Sequence, residues 1–218
     1  MTLHVPFRDR AEAGVLLGES LRSRFGGRSD LVVLALPRGG VPVGCGVARA
    51  LNVPLDVFLV RKIGVPGYEE LAMGAIASGG IRVLNEQVIR SVPCGKTELD
   101  RITTQELEEL RRREEEYRGG RGLIELPGKA VLLVDDGLAT GATMRAAVKA
   151  VRALKARQIV VAVPVGPHAT CEELSREADE VICLHEPSDF EAVGQYYDNF
   201  SQTTDFEVRA LLKAAAAN

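Results

Sequence analysis

Four continuous apolar runs, rich in Val, Ile and Leu, are spread along the chain. They cover residues 31–36, 55–60, 129–134 and 158–165. Such runs, which do not alternate with polar residues, are typical of parallel strands that are buried on both faces. The helical patterns between and beside them occupy about 8–23, 41–51, 142–156 and 170–178. This order predicts an α/β fold with an open, mostly parallel central sheet flanked by helices.

Two segments depart from this alternation. YEELAMGAIASGGIRVLN, residues 68–85, is irregular and glycine-rich, and it predicts a short antiparallel excursion. Residues 96–121 carry a sparse apolar stripe at helical spacing among charged residues, and a Gly-Gly pair supplies a stop. We interpret the second segment as an inserted, solvated amphipathic helix. The alternative is that Arg118 or Arg121, in its basic last turn, reaches towards an anion.

Length and composition indicate one globular unit. The 218 residues are enough for one sizeable core. The 46% of hydrophobic and 26% of charged residues argue against a disordered chain, and no repeat or linker is visible. The predicted single domain spans 1–218, with a core at about 25–185, the inserted helix at about 96–120 and an aromatic hood at about 185–218.

Charge and cysteine spacing exclude several classes of partner. The net charge of -3, with both signs spread along the chain, leaves no electrostatic footprint for a nucleic acid. The apolar runs are too short to span a membrane, and the amino terminus shows no secretory signal. Widely separated cysteines without CxxC spacing predict reduced thiols, a cytoplasmic location and no protein-ligated metal. These cysteines are Cys45, Cys94, Cys171 and Cys183.

The stretch VLLVDDGLATGAT, residues 131–143, carries the strongest chemical signal. Asp135 and Asp136 directly follow an apolar strand, and Gly137 permits a turn there. Neighbouring side chains of a strand point to opposite faces, so the two acids can cooperate only where the strand ends. That position is the carboxyl end of a central parallel strand, where open α/β sheets bind ligands. Carboxylates accept hydrogen bonds, which suits a sugar diol or a cation.

The loop after the acids is suited to a phosphate group. Gly141 and Ala142 leave backbone amides uncovered at the start of a helix, and Thr140 and Thr143 add hydroxyl donors. An ordinary capped helix would explain either threonine, but not the two adjacent acids. The loop lacks the lysine of a nucleotide-triphosphate loop, and no GxGxxG follows a strand. The pattern predicts a sugar-phosphate site.

This stretch resembles the phosphoribosyl pyrophosphate (PRPP) signature of the type I phosphoribosyltransferases. The resemblance extends to a bacterial group of predicted phosphoribosyltransferases that carries DDGLATGAT and a tail like AVGQYYDNF. It implies the family's open α/β fold, with a small hood or lid built here from the termini. It also implies that Asp135 and Asp136 hold the ribose hydroxyls. The 5′-phosphate would be enclosed by Ala139, Thr140, Gly141, Ala142 and Thr143.

Two basic loops fit the same resemblance. ALPRGGVPVG, residues 35–44, is similar to the family's pyrophosphate loop, because Arg38 supplies charge while Gly39 and Gly40 allow close backbone approach. VRKIGVPGYEELAMGAI, residues 60–76, resembles the flexible loop that closes over the reacting centre. Lys62 is our preferred pyrophosphate-binding residue in it, with Arg61 as the alternative.

The aromatic residues are concentrated in the polar tail at 185–207, which is either a small packed lobe or a ligand-facing lid. The resemblance implies a hood that selects the acceptor, built from Phe190, Tyr196, Tyr197 and the amino-terminal helix. Purine-salvage relatives commonly carry a lysine near the strand after the signature, whereas this chain offers Pro164, Val165 and His168. The acceptor therefore stays open.

The predicted reaction moves the 5-phosphoribosyl group of PRPP to a nitrogenous acceptor and releases pyrophosphate. Arg38 and Lys62 would stabilise the leaving charge, and Asp136 is the candidate general base. Magnesium would be bound mainly through PRPP and pyrophosphate oxygens rather than by a protein cage. The alternative is a non-catalytic regulatory protein that senses PRPP or a nucleotide. The family resemblance also makes a homodimer a natural expectation.

Overall fold

The computed structural model describes residues 6–216, apart from the side chains at positions 69 and 70. The ends of the predicted domain, 1–5 and 217–218, lie outside the described residues. The first half of residues 1–10, where no secretory signal is expected, lies outside them too. The helices are α1 (Arg10–Phe25), α2 (Gly40–Leu51), α3 (Glu86–Ser91), α4 (Lys96–Arg118), α5 (Ala142–Ala153), α6 (His168–Leu174) and α7 (Asp205–Ala215). Among residues 6–216, no helix combines the length and the apolarity needed to cross a bilayer.

A five-stranded parallel sheet forms the centre of the molecule and confirms the predicted fold class. Its strands are β1 (Leu31–Ala35), β2 (Leu55–Val57), β6 (Ala130–Val134), β7 (Gln158–Val165) and β8 (Glu180–His185). The order is β2-β1-β6-β7-β8, so the strand that precedes the acid pair lies in the middle. Every residue of β1 and β6 is buried, which is why their sequences are continuously apolar. Helices α1 and α2 cover one face of the sheet, and α5 and α6 cover the other.

A second sheet confirms the antiparallel excursion. It consists of β3 (Val60–Val65), β4 (Tyr68–Ala77) and β5 (Ile81–Leu84), in the order β3-β4-β5. One prediction needs correction here. The apolar run 55–60 is not one strand, because Phe58 and Leu59 are buried in different clusters where the chain leaves the parallel sheet. The segment 60–76 forms a β-hairpin of β3 and β4, whose register shifts on either side of Gly64.

The inserted helix α4 packs its apolar stripe against this second sheet. Leu99, Leu110 and Tyr117 are buried there, as the helical spacing predicts. Arg118 is also buried, whereas we expected a solvated side chain or one that reaches an anion. It donates hydrogen bonds to Asp56 Oδ1 at 3.0 Å and to Glu114 Oε1 at 2.6 Å, so it ties α4 to the edge of the parallel sheet.

The sequence pattern did not predict the last strand and the last helix of the described chain, β8 and α7. Strand β8 completes the parallel sheet, and its six residues are only half-buried because it lies at an edge. Helix α7 packs Val208 and Leu212 against the cluster formed by α2, α4 and the second sheet. Within the predicted hood at 185–218, α7 and the aromatic residues at 190–197 belong to different clusters.

Candidate active site at the carboxyl edge of the sheet

Asp135 and Asp136 lie at the carboxyl end of the central strand β6, as predicted. Asp135 Oδ1 accepts the backbone N–H of Asp136 at 2.9 Å, and Asp136 Oδ2 accepts Arg10 Nε at 2.7 Å. Burial raises the pKa of both carboxyl groups above the ordinary value. The charge of Asp136 raises the pKa of Asp135 further, whereas the hydrogen bond from Arg10 opposes the rise at Asp136. The protein therefore keeps two costly carboxylates side by side.

Arg10 is a site residue that the sequence analysis missed. It is the first residue of α1, whose start is fixed by Asp9 Oδ1 accepting the backbone N–H of Glu12 at 2.9 Å. Besides its pair with the acid, its guanidinium donates to the carbonyl oxygen of Ser201 at 2.7 Å. The guanidinium carbon lies 3.9 Å from the centroid of the Phe200 ring, within the range of a cation–π contact. Arg10 thus joins the acid pair to the tail.

The Gly39-Gly40 pair brings the predicted pyrophosphate loop into direct contact with the acids. The loop runs from β1 into α2, and β1 pairs with β6 in parallel register. A Cβ atom on Gly39 would lie 2.0 Å from Asp136 Oδ2. One on Gly40 would lie 2.8 Å from both the Cα atom of Asp135 and the carbonyl oxygen of Val134. Only glycine fits at Gly40, because the obstructing atoms are backbone.

The side chain of Arg38 is directed towards the start of α7 rather than towards the acid pair. Its Nη1 atom lies 3.6 Å from Asp205 Oδ2 at the start of α7, and both side chains are about one-third exposed or more. Asp205 also accepts a hydrogen bond from the Tyr117 hydroxyl on α4. An exposed ion pair of this length is weak, so it leaves the guanidinium available to a stronger anion.

The predicted phosphate loop precedes α5, and its residues are exposed except for Gly141, which is buried. In residues 6–216, the N–H groups of Thr140, Gly141 and Thr143 donate to no protein acceptor. The hydroxyl of Thr170 donates to the carbonyl oxygen of Ala139 at 2.9 Å and so fixes the loop from behind. Uncommitted amides at the start of a helix are the arrangement that binds phosphate. The predicted loop residues are Ala139, Thr140, Gly141, Ala142 and Thr143.

Lys62 borders a cavity of about 590 Å³ that it shares with Thr143 of the phosphate loop. We expected only one member of the pair Arg61-Lys62 to face the site, but both line this cavity, since β3 is the edge of its sheet. Arg61 Nε donates to Glu106 Oε2 on α4 at 2.7 Å, which ties that side chain to the inserted helix. Lys62 is exposed and lines the same cavity.

Phe7, near the start of the described chain, packs against the aromatic residues of the predicted hood beside the acids. The backbone N–H of Phe7 donates to the carbonyl oxygen of Tyr196 at 2.8 Å. Phe190 and Tyr196 are half-buried and stack with 5.8 Å between ring centroids and 10° between planes. Tyr197 differs from them: it is 5% exposed, and its hydroxyl donates to the backbone oxygen of Asp136 at 2.6 Å. Phe190 and Tyr196 are thus partly exposed, whereas Tyr197 supports the acid pair.

Comparison with known proteins bears directly on this arrangement. The family described as "Phosphoribosyl transferase domain" matches residues 11–201, a range that includes the acid pair, both glycine-containing loops and the aromatic hood. Two curated Mycobacterium tuberculosis proteins, from strains CDC 1551 and H37Rv, are each 48% identical over 209 residues, or 96% of this chain. Each is named "Putative phosphoribosyl transferase", and the match covers 47% of its length, so the chain spans about half of these relatives.

A solved structure of similar size is also related. The crystal structure of TT1426 from Thermus thermophilus is 46% identical and superposes with a TM-score of 0.83. The superposition covers 94% of this chain and 97% of that chain. The two chains therefore share their fold over nearly their whole length.

Proposed function

The chain belongs to the phosphoribosyl transferase domain family, and from that premise we propose that it transfers the 5-phosphoribosyl group of PRPP to a nitrogenous acceptor. One observation carries the proposal. The acid pair, the Gly39-Gly40 loop and the uncommitted amides before α5 all lie at the same edge of one sheet. A phosphorylated sugar with a second anionic group has a partner for each of its parts in that arrangement.

The acids are assigned to the ribose. Asp135 accepts one hydrogen bond within the described chain, and Asp136 accepts one through its side chain. Each carboxylate therefore has capacity left for a hydroxyl group. Hydrogen bonds to charged groups contribute roughly 1.5–3 kcal/mol each, which is enough to anchor the diol. A diol would also offset the cost of burying these carboxylates, since the protein itself supplies few donors.

The anionic ends of PRPP are assigned to the loops. The amides of Thr140, Gly141 and Thr143 would hold the 5′-phosphate, and Arg38 and Lys62 would hold pyrophosphate. In the reaction the bond from the anomeric carbon to a pyrophosphate oxygen breaks, and a bond from that carbon to the acceptor nitrogen forms. Negative charge grows on the departing oxygen, so fixed cations that face it lower the barrier.

Asp136 is the candidate to take the proton that the acceptor nitrogen loses. Burial raises its pKa, which makes the carboxylate a better base than a solvated aspartate. The hydrogen bond and the charge of Arg10 favour the ionised form of Asp136 and therefore limit the rise in its pKa.

The residues of this site fit a magnesium ion that would arrive bound to PRPP. The acids present hard carboxylate oxygens with free acceptor capacity, whereas the cavity wall around Lys62 is basic. Asp135 and Asp136 would hold its hydration shell together with the ribose oxygens. When bound, the ion would neutralise charge on pyrophosphate.

The acceptor is assigned to the stacked pair of Phe190 and Tyr196. Their rings are nearly parallel and half-buried, and the tail that carries them is tied to the acids through Tyr197. A flat, nitrogen-containing acceptor that packs against an aromatic face suits this surface. The ring pair would then set how the acceptor nitrogen approaches the ribose.

Calorimetry with PRPP and magnesium tests the ribose assignment directly. We expect the double variant Asp135→Asn, Asp136→Asn to bind PRPP roughly 10- to 100-fold more weakly, because two charged acceptors become neutral. Asp100→Asn, on the exposed side of α4, is the matched control and should bind as the unchanged protein does. Unchanged affinity in the double variant would refute the assignment.

Pyrophosphate release separates the enzyme from the sensor. Release should be measured with purine, pyrimidine and small amine acceptors in the presence of PRPP and magnesium. Release with one of these classes supports transfer. Tight PRPP binding without release in any of them would instead support the regulatory alternative.

A further inference from the structure

A cluster of soft and acidic ligand atoms lies behind the phosphate loop. One ligand atom from each of Cys171, Cys183 and Glu186 lies within 4.8 Å of the other two. Cys171 comes from α6, Cys183 from β8, and Glu186 follows that strand directly. His168, the first residue of α6, places its Nδ1 atom 2.5 Å from Glu186 Oε2. Three potential metal ligands of two chemical types thus lie together, and His168 contacts one of them, Glu186.

The spacing and the exposure of these atoms suit a small tetrahedral ion. Neighbouring ligands of a tetrahedral zinc lie roughly 3.5–3.8 Å apart, given Zn–S and Zn–O bonds of about 2.3 and 2.0 Å. Small side-chain movements from the present positions reach that geometry. Cys171 is buried, whereas Glu186 is about one-third exposed and His168 largely exposed. The ion therefore has an anchored inner side and an open path from solvent.

The thiol of Cys183 donates a hydrogen bond to the carbonyl oxygen of His185 at 3.1 Å. A divalent cation would displace the thiol protons and hold both sulfurs as thiolates.

We propose that Cys171, Cys183 and Glu186 form a structural site for a soft divalent cation of the zinc type. His168 completes the site, either as the fourth ligand or by orienting the carboxylate of Glu186 through its ring nitrogen. The expectation that the chain ligates no metal rested on the spacing of cysteines along the sequence. The fold joins two of them across twelve positions, from a helix to the neighbouring strand.

The position of the site gives the ion a role beyond local stability. The hydroxyl of Thr170, next to Cys171 on α6, donates to Ala139 of the phosphate loop. An ion that clamps α6 to β8 would therefore also hold the rear of that loop. This role is structural and separate from the magnesium that PRPP would bring.

Cobalt and zinc provide the test, using the full reduced chain. Cobalt(II) should bind with one-to-one stoichiometry and give the strong visible absorption of a tetrahedral thiolate complex, and zinc should displace it. Zinc should also raise the Tm of the protein. Cys171→Ser and Cys183→Ser should each abolish the thiolate absorption. Glu186→Gln, a change of one exposed atom that leaves the fold intact, should weaken zinc affinity by about 10-fold or more.

The two cysteines outside the cluster offer a control. The double variant Cys45→Ser, Cys94→Ser leaves the cluster intact and should bind cobalt as the unchanged protein does. If that variant loses binding, or if Glu186→Gln binds zinc normally, the proposed ligand set is wrong. A Cys171–Cys183 disulfide formed with hydrogen peroxide, in a protein whose reduced form binds neither cation, would also overturn the proposal. Because PRPP is absent throughout, these outcomes do not depend on the transferase proposal.

Discussion

Two largely buried charge clusters, one around Asp56 and one around Asp135, lie at different strands of the same sheet. They differ in how many hydrogen bonds the protein donates to the carboxylate. At β2, Asp56 accepts from Arg118 at 3.0 Å, from the backbone N–H of Val57 at 2.7 Å and from that of Ile124 at 3.1 Å. At β6, Asp135 accepts a single hydrogen bond, from its neighbour Asp136, within the described chain. Three donors serve one carboxylate, while one donor serves the other.

The contrast distinguishes a structural charge from a functional one. Arg118 and Asp56 are saturated by the protein, so no ligand is needed to stabilise them, and they lock α4 onto the sheet. The acid pair is left with unused acceptor capacity and with raised pKa values. A fold keeps such a pair only where something outside the chain completes it. Substitutions in the two clusters test this difference, beginning with the largest expected effect.

Arg118→Met should destabilise the protein by roughly 3–5 kcal/mol in urea unfolding. The substitution leaves Asp56 as a buried charge without its cationic partner, which is the costly way to break a buried pair. Arg112→Met is the control, since Arg112 is exposed and pairs with Glu109 on the outer side of the same helix. Its effect should stay within about 0.5 kcal/mol. Similar losses in both variants would show that the Arg118 cluster is not structural.

Gly40→Ala should destabilise the protein by about 1–3 kcal/mol, as overpacking does. The added methyl group would lie 2.8 Å from the backbone of β6, which has no room to move. Thermal unfolding and PRPP calorimetry should both register the change, because the displaced backbone carries the acids. Gly122→Ala is the matched control, since a Cβ atom there meets nothing within 4 Å. If Gly40→Ala matched that control in both measurements, the close contact between the two loops would be refuted.

Asp135→Asn should stabilise the free protein by about 1 kcal/mol at neutral pH while weakening PRPP binding. The folded-state pKa of Asp135 is raised, so its favourable contribution is complete below the unfolded value of 3.8 and is lost as the pH rises through the folded pKa. The gain from asparagine should therefore shrink as the pH falls towards 3.8. Urea unfolding across this pH range measures it.

Asp136→Asn sharpens the same comparison. It leaves Arg10 without its carboxylate, so we expect little or no stabilisation from this neighbouring change. If both variants raised the free energy of unfolding equally, the ion pair with Arg10 would not stabilise Asp136 relative to Asp135. Destabilisation by Asp135→Asn at neutral pH would mean that its charge is satisfied in a way that these contacts do not show.

The sequence predicted the features that depend on local pattern. The apolar runs at 31–36 and 129–134 became β1 and β6 because a strand buried on both faces must be continuously apolar. The acids and the phosphate loop follow each other within thirteen positions, so their proximity at one strand end was visible from spacing alone. Family membership then follows from the same stretch.

Features that depend on distant packing were not predictable. Arg10 pairs with an acid 126 positions away, and nothing in its own neighbourhood sets it apart from other basic residues of an amphipathic helix. The run 55–60 looks like one strand, yet Phe58 and Leu59 enter different clusters. Cys171 and Cys183 meet only because β8 pairs beside β7, and β8 itself is only half-buried. Tertiary contacts, rather than local preference, decide each of these cases.

The hydrogen bond from Arg10 to Ser201 joins residues that are 191 positions apart. The ribosome adds Arg10 long before Ser201. The parallel sheet can therefore assemble before the contacts that the tail makes around the acids have formed. During synthesis Asp136 therefore has neither the stacking of Phe200 behind its arginine nor the hydroxyl of Tyr197 on its backbone. The contacts around Asp136 are therefore completed only after the segment that carries Tyr197, Phe200 and Ser201 has been synthesised.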